Sequence, residues 1–325
     1  MNLPALVAPD SFKGTFGAAE VARAIARGLR SGDGLEAVEL PVADGGEGTM
    51  DVLLAALDGE VLTATVSGPL GDPVEASFAL LADGAAVVEC ARASGLGLVP
   101  EDRRDPIAAS TRGTGELIAA ACDAGAQSIV VAVGGSATTD GGAGAVSALG
   151  DAGLRPRIEV VCDVRTPFED APRVFAPQKG ATPDQVGELE ERLRHLAEQA
   201  PKDPRGEPMT GAAGGLAGGL WAHLGAKLVP GAAYVLDRIG FDELMRASAF
   251  VVTGEGRLDR QTLQGKLVGE VATRSRQAGV RSYAVAGASD LDLFEARILD
   301  LDRVIEASTL EEIEAAGAEL AALVR

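Results

Sequence analysis

Lysine is scarce in this 325-residue chain: five lysines stand against twenty-four arginines, within a formal net charge of −19. So acidic a surface excludes nucleic acids and anionic membranes as partners, because both are held by clustered basic side chains. Histidine is scarcer still, with only His195 and His223. A Ser-His-Asp hydrolase or a histidine-ligated metal enzyme therefore has little to build on. His195 falls on the charged side of a leucine-striped helix and reads as solvated. Aromatic residues make up 3% of the chain, and no apolar run reaches the length of a membrane-spanning helix. Cys90, Cys122 and Cys162 are widely spaced with no CxxC pair, so they read as buried free thiols rather than bridges or a zinc site. The opening "MNLPALVAPDSFKG" has no basic segment, and its apolar run stops at Asp10. It is no signal peptide, and the expected location is the cytoplasm.

Two glycine fingerprints are also missing. The stretch "LDRQTLQGKL" (258–267) carries the Gly-Lys of a P-loop, but Arg260 replaces its first glycine and Leu267 its Ser or Thr. No GxGxxG follows the first strand, which removes the signature of a dinucleotide-dependent oxidoreductase.

What remains is a soluble α/β pattern. Strands at 5–8, 37–41, 249–254, 282–287 and about 304–305 alternate with helical stretches at 17–30, 48–59, 265–279, from about 291, and at the C-terminal end. The last helix opens with Thr309 and Glu312 at capping-box spacing. Five βα units predict a flavodoxin-like, doubly wound parallel sheet formed by residues 1–61 plus 248–325. Residues 62–247 predict an inserted second α/β domain. It opens with two strands around a Gly/Pro turn (63–80), continues with strands at 128–133 and 158–164, and carries a helix at 185–200 with Thr182-Pro183 as cap and first residue.

In an open parallel sheet, ligands bind beyond the carboxyl ends of the strands. The unusual residues of this chain fall there: "PDSFKG" (9–14), "ADGGEGT" (43–49), "TGEGRLDRQTLQGK" (253–266) and "GASD" (287–290), and in the insert "GGSATTDGGAG" (134–144), "CDV" (162–164) and "PQKGAT" (177–182). Three of the five lysines, Lys13, Lys179 and Lys266, adjoin a glycine in these loops. A lysine so placed can approach a phosphate or carboxylate closely, with backbone N–H groups beside it. Asp10, Asp44, Glu47, Asp140, Asp163 and Glu255 are more carboxylates than helix capping requires. Carboxylates facing an anionic ligand make sense with Mg²⁺ between them, or as acceptors of a hydroxyl proton. That combination is the equipment of phosphoryl transfer from a nucleotide.

The strings "APDSFKGT" (8–15), "PVADGGEGT" (41–49), "ARASGLGL" (91–98), "STRGTGELI" (110–118), "GGSATTDGGAGAVSALG" (134–150), "PQKGAT" (177–182), "GAAGGLAGGL" (211–220) and "VVTGEGRLDRQTLQGK" (251–266) together resemble the bacterial glycerate kinases of the glycerate 2-kinase type. The resemblance runs in order from about residue 6 to residue 287. It implies a flavodoxin-like domain interrupted by a second α/β domain, with D-glycerate and ATP as substrates, Mg²⁺ as cofactor, and 2-phosphoglycerate as product. The chain departs from the family pattern at Thr166, where relatives tend to have Asn, and at Met209-Thr210, where they usually have another glycine. It also lacks the usual proline soon after Lys266.

On this reading Asp10, Lys13, Asp44, Asp140 and Asp163 are the candidate catalytic residues, with Asp10 favoured as the base. Ser11, Gly45, Gly46, Glu47, Gly134, Gly135, Ser136, Thr138, Lys179, Glu255, Arg257 and Lys266 are candidate substrate- and phosphate-binding residues. Asp44 and Glu47 are the candidate Mg²⁺ ligands. The site is expected in a cleft between the two domains, and a homodimer is left open. The competing reading is a non-catalytic sensor of small anions or nucleotides on the same fold.

Overall fold

In this computed structural model, residues 3–31, 35–259, 262 and 266–324 are described. Residues 260–261 and 263–265 of the "DRQTLQGK" stretch, including the Gly265 next to Lys266, lie outside them. The Cα packing divides the chain into two units, Met1–Asp44 with Ala232–Arg325, and Gly45–Gly231. The sequence pattern set the corresponding divisions at 61/62 and 247/248.

The first unit contains β1 (Ala5–Pro9), α1 (Ala18–Ser31), β2 (Ala37–Glu39), α9 (Gly231–Arg238), α10 (Phe241–Arg246), β9 (Phe250–Leu258), α11 (Leu267–Ala278), β10 (Arg281–Ser289), α12 (Leu293–Ile298), β11 (Leu301–Glu306) and α13 (Leu310–Leu323). The strands lie in the order β11-β10-β9-β1-β2, and every pairing is parallel. Numbered within the sheet alone, this is the 2-1-3-4-5 order of a flavodoxin-like fold, whose strand order reverses between its first and third strands. Those strands are β1 and β9.

A parallel strand covered on both faces must be apolar at every position. The strand "ALVAP" is buried at all five of its residues. Along β10, Tyr283 and Val285 join the cluster with α1 and α13, while Ala284 and Ala286 join α11 residues Val268 and Ala272. Successive side chains thus point to opposite faces, as a strand requires. The capping box at Thr309 forms: its hydroxyl accepts from the Glu312 N–H at 3.2 Å, and the Glu312 carboxylate accepts from the Thr309 N–H at 3.2 Å.

The second unit contains α2 (Thr49–Leu57), β3 (Gly59–Ser67), β4 (Pro73–Leu81), β5 (Ala85–Glu89), α3 (Ala91–Ser94), α4 (Arg112–Asp123), β6 (Ser128–Ala132), α5 (Ala143–Asp151), β7 (Ile158–Cys162), α6 (Ala171–Phe175), α7 (Pro183–Gln199), α8 (Leu216–Leu224) and β8 (Lys227–Pro230). Its six strands run in chain order. β3, β4 and β5 pair antiparallel, and β5 to β8 pair parallel. Leu117, Ile118, Val131, Leu149, Val160, Leu216 and Leu220 meet in its core. Helix α2 belongs to this unit because the buried Glu89, at the end of β5, accepts from the Met50 N–H at 2.9 Å in the first turn of α2. Arg92 donates to the other oxygen of Glu89 at 2.9 Å. The expected cap of α7 is present, with Thr182 and Gln185 in a reciprocal capping box and Pro183 as first residue.

Candidate active site

At the carboxyl ends of β1, β9, β10 and β11, the first unit opens a cavity of about 390 Å³. Asp10, Ser11, Lys13, Glu255, Arg257, Lys266 and Ser308 are among its lining residues. β1 and β9 meet at the topological switch point, where Asp10 follows β1 and Glu255 lies in β9 just past the Gly254 that pairs with Pro9. A side chain on Gly287 would lie 2.5 Å from the Gly256 carbonyl oxygen. Only glycine therefore lets β10 approach the β9 end closely enough to close this wall.

Asp10 is 3% exposed and accepts from the Ser11 N–H at 2.6 Å. Burial lifts its pKa to about 8, and the neighbouring charge of Asp44 adds to the shift, while Lys13 and the Ser11 N–H oppose it. The carboxyl group thus holds or releases a proton near neutral pH. Lys13 donates to Asp44 at 2.7 Å. The surrounding loops disfavour its charge, but Asp44, Asp10 and Glu255 outweigh them and hold the ammonium above the usual lysine range. Burial also raises the pKa of Glu255, against a hydrogen bond from Thr262 and the charges of Lys266 and Lys13. The Thr262 hydroxyl donates to Glu255 at 2.8 Å. Arg257 is committed to a bidentate pair with Asp290, with Nε–Oδ2 at 2.7 Å and Nη2–Oδ1 at 3.0 Å.

Of the residues named from sequence, Asp10, Ser11, Lys13, Glu255, Arg257 and Lys266 share this cavity, and Asp44 joins them through Lys13. Thr262 and Ser308 were not singled out. Thr262 stands inside the "RLDRQTLQGK" string, and its signal was only its company there. Ser308 precedes the cap of α13 and belongs to no motif.

The second unit has its own cluster, in the loop between β6 and α5. Asp140 is 8% exposed. It accepts from the Thr111 N–H and hydroxyl, both at 2.8 Å, and from the N–H groups of Gly142 at 3.1 Å and Gly144 at 3.2 Å. Its carboxylate is therefore engaged in tying the start of α4 to the start of α5. Lys179 is 3% exposed and donates to the Ser136 hydroxyl at 3.0 Å and the Thr138 carbonyl at 2.5 Å. Burial lowers its pKa to about 8, opposed by Cys90 and Asp140. The Cys90 thiol, pushed by burial up to about 12, donates to the Gly134 carbonyl at 3.1 Å.

The glycine-rich 211–220 segment backs this loop. A side chain on Gly214, whose φ is +65°, would lie 2.0 Å from the Thr138 carbonyl oxygen. Gly45, Gly46 and Glu47 begin this unit. Glu47 is exposed, and its carboxylate lies where a side chain on Gly135 would stand, 1.8 Å from that Cβ position; a Cβ on Gly134 would likewise lie 2.7 Å from the Gly46 Cα. Asp163 follows β7 and is half-buried. Thr111, which completes the Asp140 network, was missed because only long-range folding joins it to Asp140. All three cysteines are free thiols.

A doubly wound sheet with a proton-holding carboxyl and cations gathered at its switch point is the framework of an α/β enzyme for small anionic substrates. The relatives narrow that class. The model of the Glycerate kinase family matches residues 5–157 and 151–324. The chain is 42% identical to the "Glycerate kinase" of Bacillus subtilis (strain 168), covering 88% of this chain and 85% of that protein. It is 41% identical to the "Glycerate 2-kinase" of Escherichia coli (strain K12), covering 87% and 84%. A crystal structure of a protein provisionally named glycerate kinase 2, from Salmonella typhimurium LT2, superposes with a TM-score of 0.85 at 34% identity. The match covers 100% of this chain and 98% of that one. The chain belongs to the glycerate kinase family.

Proposed function

We propose that the protein transfers the γ-phosphoryl group of ATP to the 2-hydroxyl of D-glycerate, giving 2-phosphoglycerate and ADP. The observation that carries this reading is the Asp10 carboxyl, buried at the switch point with its pKa lifted to about 8 and with Lys13 and Lys266 lining the same cavity. As the glycerate oxygen bonds to phosphorus and the bond to the β-phosphate oxygen breaks, the hydroxyl proton passes to Asp10. General-base assistance of this kind contributes ~10²–10⁴-fold. Lys13 and Lys266 face the negative charge that spreads over the transferring group. Glu255, fixed by Thr262, adds negative charge next to Asp10 and helps keep its proton affinity high.

The donor set of the first unit fits Mg²⁺ delivered with the nucleotide. Among the described residues no three ligand side chains form a protein cage for a metal. Mg²⁺ usually needs only one or two carboxylates and completes its shell with phosphate oxygens and water. The repulsion between Asp10 and Asp44, only partly offset by Lys13, supports a place for a further cation. In this unit Asp44 would hold the ion, and it would supply charge neutralisation at the phosphate oxygens. The three free thiols support residence in a reducing compartment such as the cytoplasm.

Incubation with D-glycerate, ATP and Mg²⁺ tests the reading, with the product examined by ³¹P NMR. Splitting of the phosphorus signal by a single proton marks the 2-phosphate, and splitting by two protons marks the 3-phosphate. Binding of both ligands without any ADP release would return the sensor reading.

A further inference from the structure

The second unit spends a buried ammonium group on the loop between β6 and α5, and the bonding there has a direction. Lys179 closes a 3-10 turn, Pro177–Lys179, and its ammonium is a donor only. Its bond at 3.0 Å to the Ser136 oxygen therefore makes that oxygen the acceptor, and the hydroxyl proton must point elsewhere. Ser136 is 7% exposed, and among the described residues no protein group accepts that proton. The loop backbone is held independently. The Leu96 N–H donates to the Gly135 carbonyl at 2.8 Å, the Ala137 N–H to the Ser94 carbonyl at 2.9 Å, and the Gly141 N–H to the Gly214 carbonyl at 3.0 Å. Two more hydroxyls of the same loop, Thr138 and Thr139, are buried without a hydrogen-bond partner. Buried hydroxyls in a folded protein normally have partners, so this loop carries more donors than the fold uses.

We propose that Lys179 is a positioning residue: it fixes and polarises Ser136 so that the serine hydroxyl donates to an anionic oxygen, phosphate or carboxylate, of a bound substrate. The inference rests on the phosphotransferase reading above. The Lys179 ammonium is buried and spends its bonds on Ser136 and Thr138, so its charge acts through the serine. A buried charge that a neutral strut could replace structurally is then explained by what it does to the Ser136 proton.

The experiment is a double-mutant cycle on binding. ADP and D-glycerate are titrated separately, by calorimetry, into wild type, Ser136→Ala, Lys179→Met and the double variant. Each single variant is expected to weaken one of the two ligands by about tenfold, the worth of a charge-assisted hydrogen bond, and the double variant by no more than about the same factor. Loss confined to ADP identifies the anionic oxygen as phosphate, and loss confined to D-glycerate identifies it as carboxylate. Unchanged affinities in Ser136→Ala, or losses that multiply in the double variant, overturn the relay. If Lys179→Met does not fold, Ser136→Ala and Ser136→Thr decide: the threonine keeps the hydroxyl and should keep the affinity, and equal loss in both overturns the proposal. A wild type that binds its ligands but releases no ADP overturns the kinase reading instead.

Discussion

At the scale of single residues, the account turns on one proton. An aspartate ordinarily titrates near 3.8, and Asp10 stands at about 8 in the folded chain, so the folded state keeps a proton that the unfolded chain releases. The stability contributed by that proton is fully present below about pH 4 and is lost as pH rises through about 8. Asp10→Asn is expected to flatten this part of the pH–stability curve and to be more stable than wild type above pH 8, read as urea midpoints across pH 5–9. Its catalytic counterpart has the opposite sign. A base must be deprotonated, so wild-type kcat/KM should climb with pH through about 8. Lys13 lowers the pKa of Asp10, and Lys13→Met should move that rising limb to higher pH; a limb that stays in place would detach Lys13 from Asp10. The residue types were legible in the sequence, because carboxylates and lysines in glycine-rich loops after apolar runs are rare. Their division of labour was not. Asp10 and Asp140 look alike as loop aspartates, yet one is a lightly bonded, proton-holding group and the other is saturated by Thr111, Gly142 and Gly144.

At the scale of elements, local signals carried furthest where they were chemically specific. Thr309 with Glu312 and Thr182 with Gln185 both form the reciprocal caps that their spacing implies. Thr309→Ala should cost about 1 kcal/mol by thermal or urea unfolding, and an unchanged midpoint would mean that the cap is idle. The 209–215 turn carries a cost of a different kind. Met209 and Ala213 adopt positive φ, 72° and 51°, conformations that suit glycine. Ala213→Gly should stabilise by about 0.5–1 kcal/mol, since it removes the αL penalty and loses only a methyl group. Strands β5 and β8 escaped the sequence reading: β5 follows a tight turn directly after β4, and β8 is a four-residue, half-exposed edge strand.

At the scale of the whole molecule, the five parallel strands of the first sheet were legible as short runs that alternate with helical stretches. Helix α2 was not separable from them by periodicity. Its allegiance is decided by Glu89, 39 positions from Met50 in the chain, whose buried carboxylate receives the Met50 N–H. The burial of Lys179 was equally invisible, because its partners Ser136 and Thr138 are supplied by the fold and not by neighbours in sequence. What the sequence pattern and the structure agree on is that Asp10 and Glu255 stand together beside the switch point, although β9 runs on past Glu255 to Leu258.

The most direct measurement of the central claim is the rate of ADP release, with ATP and Mg²⁺ present, in wild type and in Asp10→Asn, with and without D-glycerate. The expected result is release that depends on D-glycerate in wild type and falls by about a hundredfold or more in the variant. Release that is independent of D-glycerate, or that Asp10→Asn leaves at the wild-type rate, would contradict it.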